Sequence, residues 1–545
     1  MRSVSARGID RRDFLRRTSN VAFCGGALLR QAWGESEKLV IAETSFGRVR
    51  GIDHQGIKVF KGIPYGANTA GANRFMPPTD PPEWIGIRDA LEYGHSAPQP
   101  DPRSSSLAAG MWGPNLPARG EDCLVLNVWT PALDDGHKRP VMFWCHGGGF
   151  ATGTGSSPDN DGTNLARRGD VVVVTVNHRL NVLGFANLSE FSPDFAASGD
   201  SGLLDIVHAL RWVRVNIAHF GGDPNTVMIF GQSGGGRKVE TLLAMPSAKG
   251  LFHRATIESG KAIKVASRAA AIRNAEQLLI KLEIHKSDVH AIQKLPVERV
   301  MAAYMAVVRE SQGVDQSVSG FSPTVDGKIL PQHPFFPAAS PVSADVPVVI
   351  GFTRTEQTLF HLDDPLAFSL EEKGVRMRLD ALLVDQAPPI IDLYRHLNPS
   401  ATHSDIFFLI ASDYGMGAET IKIAERRAAL GKGAVYMYYF AWETPVLGGK
   451  LKSPHTIEIP FAFDNVKIAS RLTGGGVDAM RLADKVSEAW IAFARTGNPN
   501  TPKMPAWPEF TSKDRATLVI DNTSTVVNDP LREQRVALSR VLNLT

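Results

Sequence analysis

Val227-Met228-Ile229-Phe230-Gly231-Gln232-Ser233-Gly234-Gly235 runs from an apolar stretch through a glycine-flanked serine into a helical pattern over 237–244. A side chain on so tight a strand-to-helix turn needs glycines around it, because the backbone is strained and neighbouring side chains would clash. The turn lifts the Ser233 hydroxyl clear of a sheet and sets it beside a helix N-terminus. Alone, the G-x-S-x-G match is weak in a chain with 49 glycines, and it reads equally as a simple turn.

A second glycine cluster strengthens it. His146-Gly147-Gly148-Gly149-Phe150 follows another apolar run, 141–145. Successive glycines let neighbouring N–H groups aim at one point, so Gly148, Gly149 and Gly234 are the expected donors to a developing oxyanion. A flexible glycine turn is the plain alternative. Two such motifs in this order, each after its own strand, say more than either alone.

A serine nucleophile needs a base, and in this architecture the chain order is serine, acid, histidine. His253, His285, His290, His333, His361, His396, His403 and His455 all follow Ser233. Position favours His455, flanked by the loop formers Ser453, Pro454 and Thr456 near the terminal strands. For the acid, Glu356 stands just past the strand-like run 346–350, with Asp326, Asp363 and Asp364 as competitors. Asp326 lies in Val325-Asp326-Gly327, which reads as a turn.

Further apolar runs at 141–145, 171–176, 227–230, 346–350 and 434–440 alternate with helical patterns at 203–217, 237–244 and 477–495. That alternation predicts a mostly parallel sheet flanked by helices, with chemistry at the carboxyl ends of its strands. Residues 265–345 and 365–430 are more helical, with the best helices at 269–282 and 297–308. They read as insertions over the active site within one domain spanning 35–545, because no linker composition marks a boundary.

At these residues the chain resembles the type-B carboxylesterase and cholinesterase family of α/β-hydrolases. Supporting segments include Phe60-Lys61-Gly62-Ile63-Pro64-Tyr65, Arg74-Phe75, Glu121-Asp122-Cys123-Leu124, Asn127-Val128-Trp129-Thr130-Pro131 and residues 216–224. The resemblance runs from about residue 40 to the C-terminus. It implies the α/β-hydrolase fold and hydrolysis of small-molecule esters through an acyl-enzyme. Ser233, Glu356 and His455 would form the triad, and Gly148, Gly149 and Gly234 the oxyanion hole. The His455 match rests on residues 455–461 and that of Glu356 on 351–356. No metal or organic cofactor is implied, and the oligomeric state is left open.

The chain also departs from the family. Members with a disulfide pair the cysteine matching Cys123 with an earlier one, and here the stretch reads Ser96-Ala97-Pro98-Gln99, without it. Thr353 and Thr355 stand where Asn and Asp are usual, and Gly234 where Ala is more frequent. Arg237 reads as a surface arginine or as a contact for acidic substrates. Phe150, Phe185, Phe352 and Phe463 read first as ordinary core and second as candidates for the pocket wall.

The formal charge of +3 arises from the N-terminus. Residues 1–34 hold seven arginines against Asp10 and Asp13, and the remainder has 52 basic and 54 acidic side chains. The body therefore lacks the basic footprint of a nucleic-acid binder. Asp10-Arg11-Arg12-Asp13-Phe14-Leu15-Arg16, a modest apolar run at 21–29 and Ala32-Trp33-Gly34 resemble a cleaved twin-arginine export signal, pointing to a periplasmic or secreted protein. The apolar run is too short to span a bilayer, and no other stretch reads as transmembrane. Lipid attachment at Cys24 is weaker, because Phe23 is bulky. Cys123 and Cys145 are too few for a disulfide framework and read as free thiols. Two rival functions remain: a non-catalytic binding protein on this fold, against which the intact set of residues argues, and a hydrolase of amides or peptides that would use the same residues.

Overall fold

The run at 139–145 becomes a strand because its side chains alternate between two apolar cores. Val141, Phe143 and Cys145 enter one; Met142 and Trp144 enter the other. Val172 and Val174 oppose Val173 in the same way, as do Val227 and Ile229 against Met228 and Phe230. A strand covered on both faces reads as continuously apolar for this reason.

The computed structural model describes residues 38–101, 107, 117–310 and 320–544. The export signal and Cys24 expected within 1–34 lie outside them. Among the described residues, thirteen strands form one sheet. In chain order they are β1 (Lys38–Ala42), β2 (Arg48–His54), β3 (Ile57–Pro64), β4 (Ile87–Asp89), β5 (Val125–Thr130), β6 (Arg139–Cys145), β7 (Val172–Val176), β8 (Gly222–Gln232) and β9 (Arg254–Glu258). After a separate two-residue ladder, β10 (Ala266–Ser267) with β11 (Thr324–Val325), come β12 (Val348–Thr353), β13 (Val435–Phe440), β14 (Ala516–Ile520) and β15 (Thr525–Asn528). The spatial order is β1-β2-β3-β5-β7-β6-β8-β9-β12-β13-β14-β15, with β4 beside β2. From β7 to β14 neighbours run parallel, and the antiparallel pairs lie toward the two edges. This is the α/β-hydrolase fold.

Helices flank the sheet, among them α1 (Ser201–Asn216), α2 (Gly234–Leu242), the single turn α3 (Gln357–Phe360) and the long α4 (Val477–Thr496). Within 265–345 lie helices Arg268–Leu282 and Val297–Glu310; within 365–430 lie Glu372–Leu383, Ala387–Leu397, His403–Ser412 and Ala418–Ala428. Among the described residues, no helix is long and apolar enough to cross a membrane.

Parallel register brings the strand ends level. Cys145 pairs with Gly231, Gln232 with Glu258, Gly351 with Glu258, and Thr353 with Phe440. The segments leaving β6, β8, β9, β12 and β13 therefore emerge along one rim.

Cys123 and Cys145 are both buried and unpaired. Hydrogen bonds hold the stretch around Ser96-Ala97-Pro98-Gln99, where the resemblance would place a second cysteine. Asn181 donates to Pro98 O (2.8 Å), Asn177 to His95 O (2.9 Å), and Gln99 both donates to Gly153 O (3.0 Å) and accepts from Gly153 N (2.8 Å). Polar fastening thus adds to packing where a bridge is missing.

Candidate active site

The turn after β8 has the strain its sequence foretold. Ser233 adopts φ 59°, ψ −119°, a region that residues with a Cβ rarely occupy. Backbones crowd it: a Cβ on Gly235 would lie 2.0 Å from Cys145 O, and one on Gly234 would lie 2.1 Å from Gly149 O. Glycine at 234 thus lets the 147–149 loop close onto the start of α2, and an alanine would force that peptide to move.

That loop carries the other expected donors. Gly148 and Gly149 have φ of 87° and 65°. Among the described residues their amides donate to no carbonyl or side chain. The nitrogen of Gly149 also lies 2.4 Å from where a Gly234 Cβ would be, so the loop amides and the first amide of α2 crowd one spot. Unpaired N–H groups there form a ready site for negative charge.

Glu356 and His455 are both fully buried, and the carboxylate accepts a hydrogen bond from His455 Nδ1 through Oε2. A carboxylate can only accept here, so Nδ1 carries the proton and Nε2 is left with its lone pair. Oε1 of Glu356 accepts from Thr353 N and from Ser259 Oγ, each at 2.7 Å. The amide nitrogen of Gln232 lies 3.3 Å from both ring nitrogens of His455, which puts it over the face of the ring. His455 thereby abuts the residue preceding Ser233. Among the described residues, the Ser233 hydroxyl has no hydrogen bond of its own.

Two loops hold the histidine. Thr355 N donates to Ser453 O (3.0 Å), Ser453 N donates to Thr355 Oγ1 (2.9 Å), and that hydroxyl donates to Leu451 O (3.1 Å). Thr355 thus clasps the Glu356 loop to the His455 loop. Ser453 Oγ adds a bond to Phe440 O at the end of β13 (2.8 Å).

Behind Glu356 lie two more buried carboxyls. Burial, with Glu356 and Glu258 nearby, pushes Glu458 well above the usual carboxylate range. Burial lifts Glu258 to about 7, although Trp490 Nε1 donates to it (2.7 Å). Ser259 Oγ stands 3.0 Å from Glu458 Oε1. A protonated Glu458 can donate to this hydroxyl while the hydroxyl donates to Glu356, leaving the negative charge on Glu356.

The other candidates lie elsewhere. Asp326 accepts from the amides of Lys328, Ile329 and Leu330, as a turn former does. Asp364 pairs with Arg378, and Asp363 accepts from Leu107 N. Phe463 is fully buried between Trp144 and Phe230, with ring centroids 5.0 and 5.3 Å away, and Phe352 is buried against Tyr439. Both belong to the core. Phe150 and Phe185 pack edge to face, with Phe150 immediately after the glycine loop.

Sequence reasoning overlooked Phe360, whose half-exposed ring lies 4.9 Å from His455. Its spacing of four residues from Glu356, one helical turn, was the available signal. Gln232, Ser259, Glu458 and Lys238 were also passed over. Among the described residues, no group of three or more His, Cys, Asp or Glu side chains is arranged to hold a metal ion.

A carboxylesterase family model matches residues 38–539. The para-nitrobenzyl esterase of Bacillus subtilis is 36% identical over 501 residues, 91% of this chain and 98% of that protein. The phenmedipham hydrolase of Pseudarthrobacter oxydans is 34% identical, with the same coverage. Among solved structures, the carboxylesterase EST55 of Geobacillus stearothermophilus superposes with a TM-score of 0.79 at 38% identity, covering 91% of this chain and 99% of that one.

Proposed function

This chain belongs to the carboxylesterase family and is a carboxylic ester hydrolase; from that premise we propose that Ser233 is its nucleophile, His455 its general base and Glu356 the acid that orients the base. The observation carrying this reading is the buried bond from His455 Nδ1 to Glu356, on a ring that abuts the Ser233 turn. With Nδ1 committed to the carboxylate, Nε2 is available for the Ser233 proton. The hydroxyl engages Nε2 as substrate binds, a tightening common between free enzymes and their substrate complexes.

Ser233 Oγ attacks the ester carbonyl, and the charge on its oxygen falls among the amides of Gly148, Gly149 and Gly234. Each such donor contributes about 3–4 kcal/mol to the transition state. The imidazolium, stabilised by Glu356, then protonates the departing alcohol. Water repeats the sequence on the acyl-enzyme and releases the acid. Phe360 and Phe150 supply apolar wall beside His455 and the glycine loop, which favours small-molecule esters with apolar groups.

The same reading takes 35–545 as one catalytic domain, with helical insertions at 265–345 and 365–430. It takes residues 1–34 as a twin-arginine signal delivering the enzyme to the periplasm or beyond. Replacing Arg11 and Arg12 by Lys is expected to retain the protein inside the cell. Export unaffected by that change contradicts the assignment.

The catalytic reading is tested with p-nitrophenyl esters of increasing acyl length beside the matched anilide, for the parent and for His455→Ala. Turnover of esters well above the anilide is expected, with a loss of about 10³-fold or more in the variant. Ester turnover that survives the replacement rejects the role of His455.

A further inference from the structure

Lys238 lies on α2, four residues after Gly234 and so on the same helical face. It is fully buried. Its Nζ donates to His146 O at 2.7 Å, the carbonyl immediately before the Gly147–Gly149 loop, and lies 6.0 Å from the ring centroid of Phe150 at the loop's far end. No carboxylate pairs with it among the described residues. A buried ammonium without a counter-ion is costly, and a methionine would fill the space more cheaply.

The side chain spans the two segments that supply the oxyanion amides. Gly234 starts its helix; Gly148 and Gly149 stand on the loop whose first carbonyl it grips. We propose that Lys238 is a positioning residue for ester hydrolysis, its charge-assisted bond to the His146 carbonyl holding the glycine loop in register with the first amide of α2. This rests on the assignment of Ser233 and those amides above.

The surroundings make the bond sensitive to pH. The ionisable groups facing Lys238 are the Cys145 thiol at the end of β6, the His146 imidazole on the loop, and His178 beyond β7, which stacks on His146 at 5.0 Å. Arg179, paired with Asp205, lies past His178, and Arg237 and Glu240 flank Lys238 on its own helix. Burial brings Lys238 down to about 7, and burial together with its charge keeps both imidazoles far below their usual range. As pH rises through neutrality the ammonium becomes an amine and the bond loses its charge assistance.

The test compares Lys238→Met with the parent on one p-nitrophenyl ester from pH 6 to 9, with Ser233→Ala as a control. Expected are a kcat lower by about 10–100-fold at pH 6, KM within about two-fold, and comparably weakened binding of a trifluoromethyl ketone. The parent-to-variant ratio of kcat shrinks as pH rises, and the variant melts no lower than the parent. If Lys238→Met does not fold, Lys238→Gln, too short to reach His146 O, takes its place. A variant kcat within two-fold of the parent, a loss carried by KM or by a lower melting temperature, or a ratio flat across pH overturns the proposal. Activity persisting in Ser233→Ala instead removes the assignment beneath it.

Discussion

Ser233 occupies a backbone conformation that glycine would adopt without strain, and holding a Cβ there costs on the order of 1–3 kcal/mol. Activity and stability should therefore separate at this position. Ser233→Gly is expected to melt at a higher temperature than the parent, and Ser233→Ala at the same one, with kcat lowered by about 10⁴–10⁶-fold in both. Calorimetry beside steady-state kinetics reads the two effects. Glu356→Gln keeps the shape of the acid but offers His455 Nδ1 an acceptor without charge, and its kcat should fall by about 10⁴-fold with little change in KM. A loss below ten-fold would show that Glu356 does not orient the base. Much of this residue-scale arrangement was legible in the sequence, because strained turns demand glycines and glycines are visible. Lys238 was not. A lysine two positions beyond the GGG of α2 reads as solvent-facing, since lysines are almost never fully buried, and only the fold shows the carbonyl it caps.

Among the elements, the buried strands were legible only in part: β5 is as buried as β6 and was not anticipated. The core strands β6, β7, β12 and β13 were anticipated to within a few residues because each alternates apolar side chains into two cores. β8 starts at Gly222, before the polar Asp-Pro-Asn-Thr stretch that hid it, although Gly222 already pairs with Arg139. The antiparallel strands β1 to β3 escaped notice, although β1 carries the apolar run Leu39-Val40-Ile41-Ala42; as a short edge strand it leaves most of that run exposed. β9 was masked by Arg254 and Glu258 at its ends. The clasp between the Glu356 and His455 loops is a property of such elements. Thr355→Val removes a hydroxyl that both donates and accepts, leaving Ser453 N without its partner while Leu451 O keeps Thr358 Oγ1 (2.7 Å). A stability loss of about 1–3 kcal/mol in urea unfolding is expected, with kcat reduced several-fold as His455 loosens. On α2, burial raises Glu240 to about 8, although Ala262 N donates to it (2.7 Å). Its folded value lies above the unfolded one of about 4.3, so its contribution is complete below that and is lost as pH rises toward 8. The melting temperature of Glu240→Gln relative to the parent should therefore climb between pH 5 and 8. A difference constant over that window would contradict a protonated Glu240.

At the scale of the molecule, buried arginines tie the segment after β3 to the parallel body and to the first helical insertion. Arg179 and Asp205 are both fully enclosed, and Arg179 also donates to Met76 O (2.7 Å). Arg74 grips Glu121 with two nitrogens and donates to the carbonyls of Ile292 and Leu295. Asp205→Asn strands the guanidinium and should cost about 3–5 kcal/mol, far more than loss of any exposed pair. With no bridge at Cys123 and with burial lifting both its thiol and that of Cys145, reductants should leave melting unchanged, and native protein should resist thiol reagents. The sequence foretold the missing bridge, but not the hydrogen bonds around Gln99 that take its place, because those partners lie more than fifty residues apart. The segments carrying residues 233, 356 and 455 leave the sheet along one rim as a consequence of parallel register, which local patterns do not encode, and we propose that their side chains converge there. That convergence is most directly tested by titrating the enzyme with paraoxon and mapping the phosphorylated peptide by mass spectrometry. One equivalent should abolish activity and leave a single diethylphosphoryl group on Ser233, with none formed in His455→Ala on the same timescale. A label on any other residue, or an inactivated enzyme with Ser233 unmodified, would contradict the account.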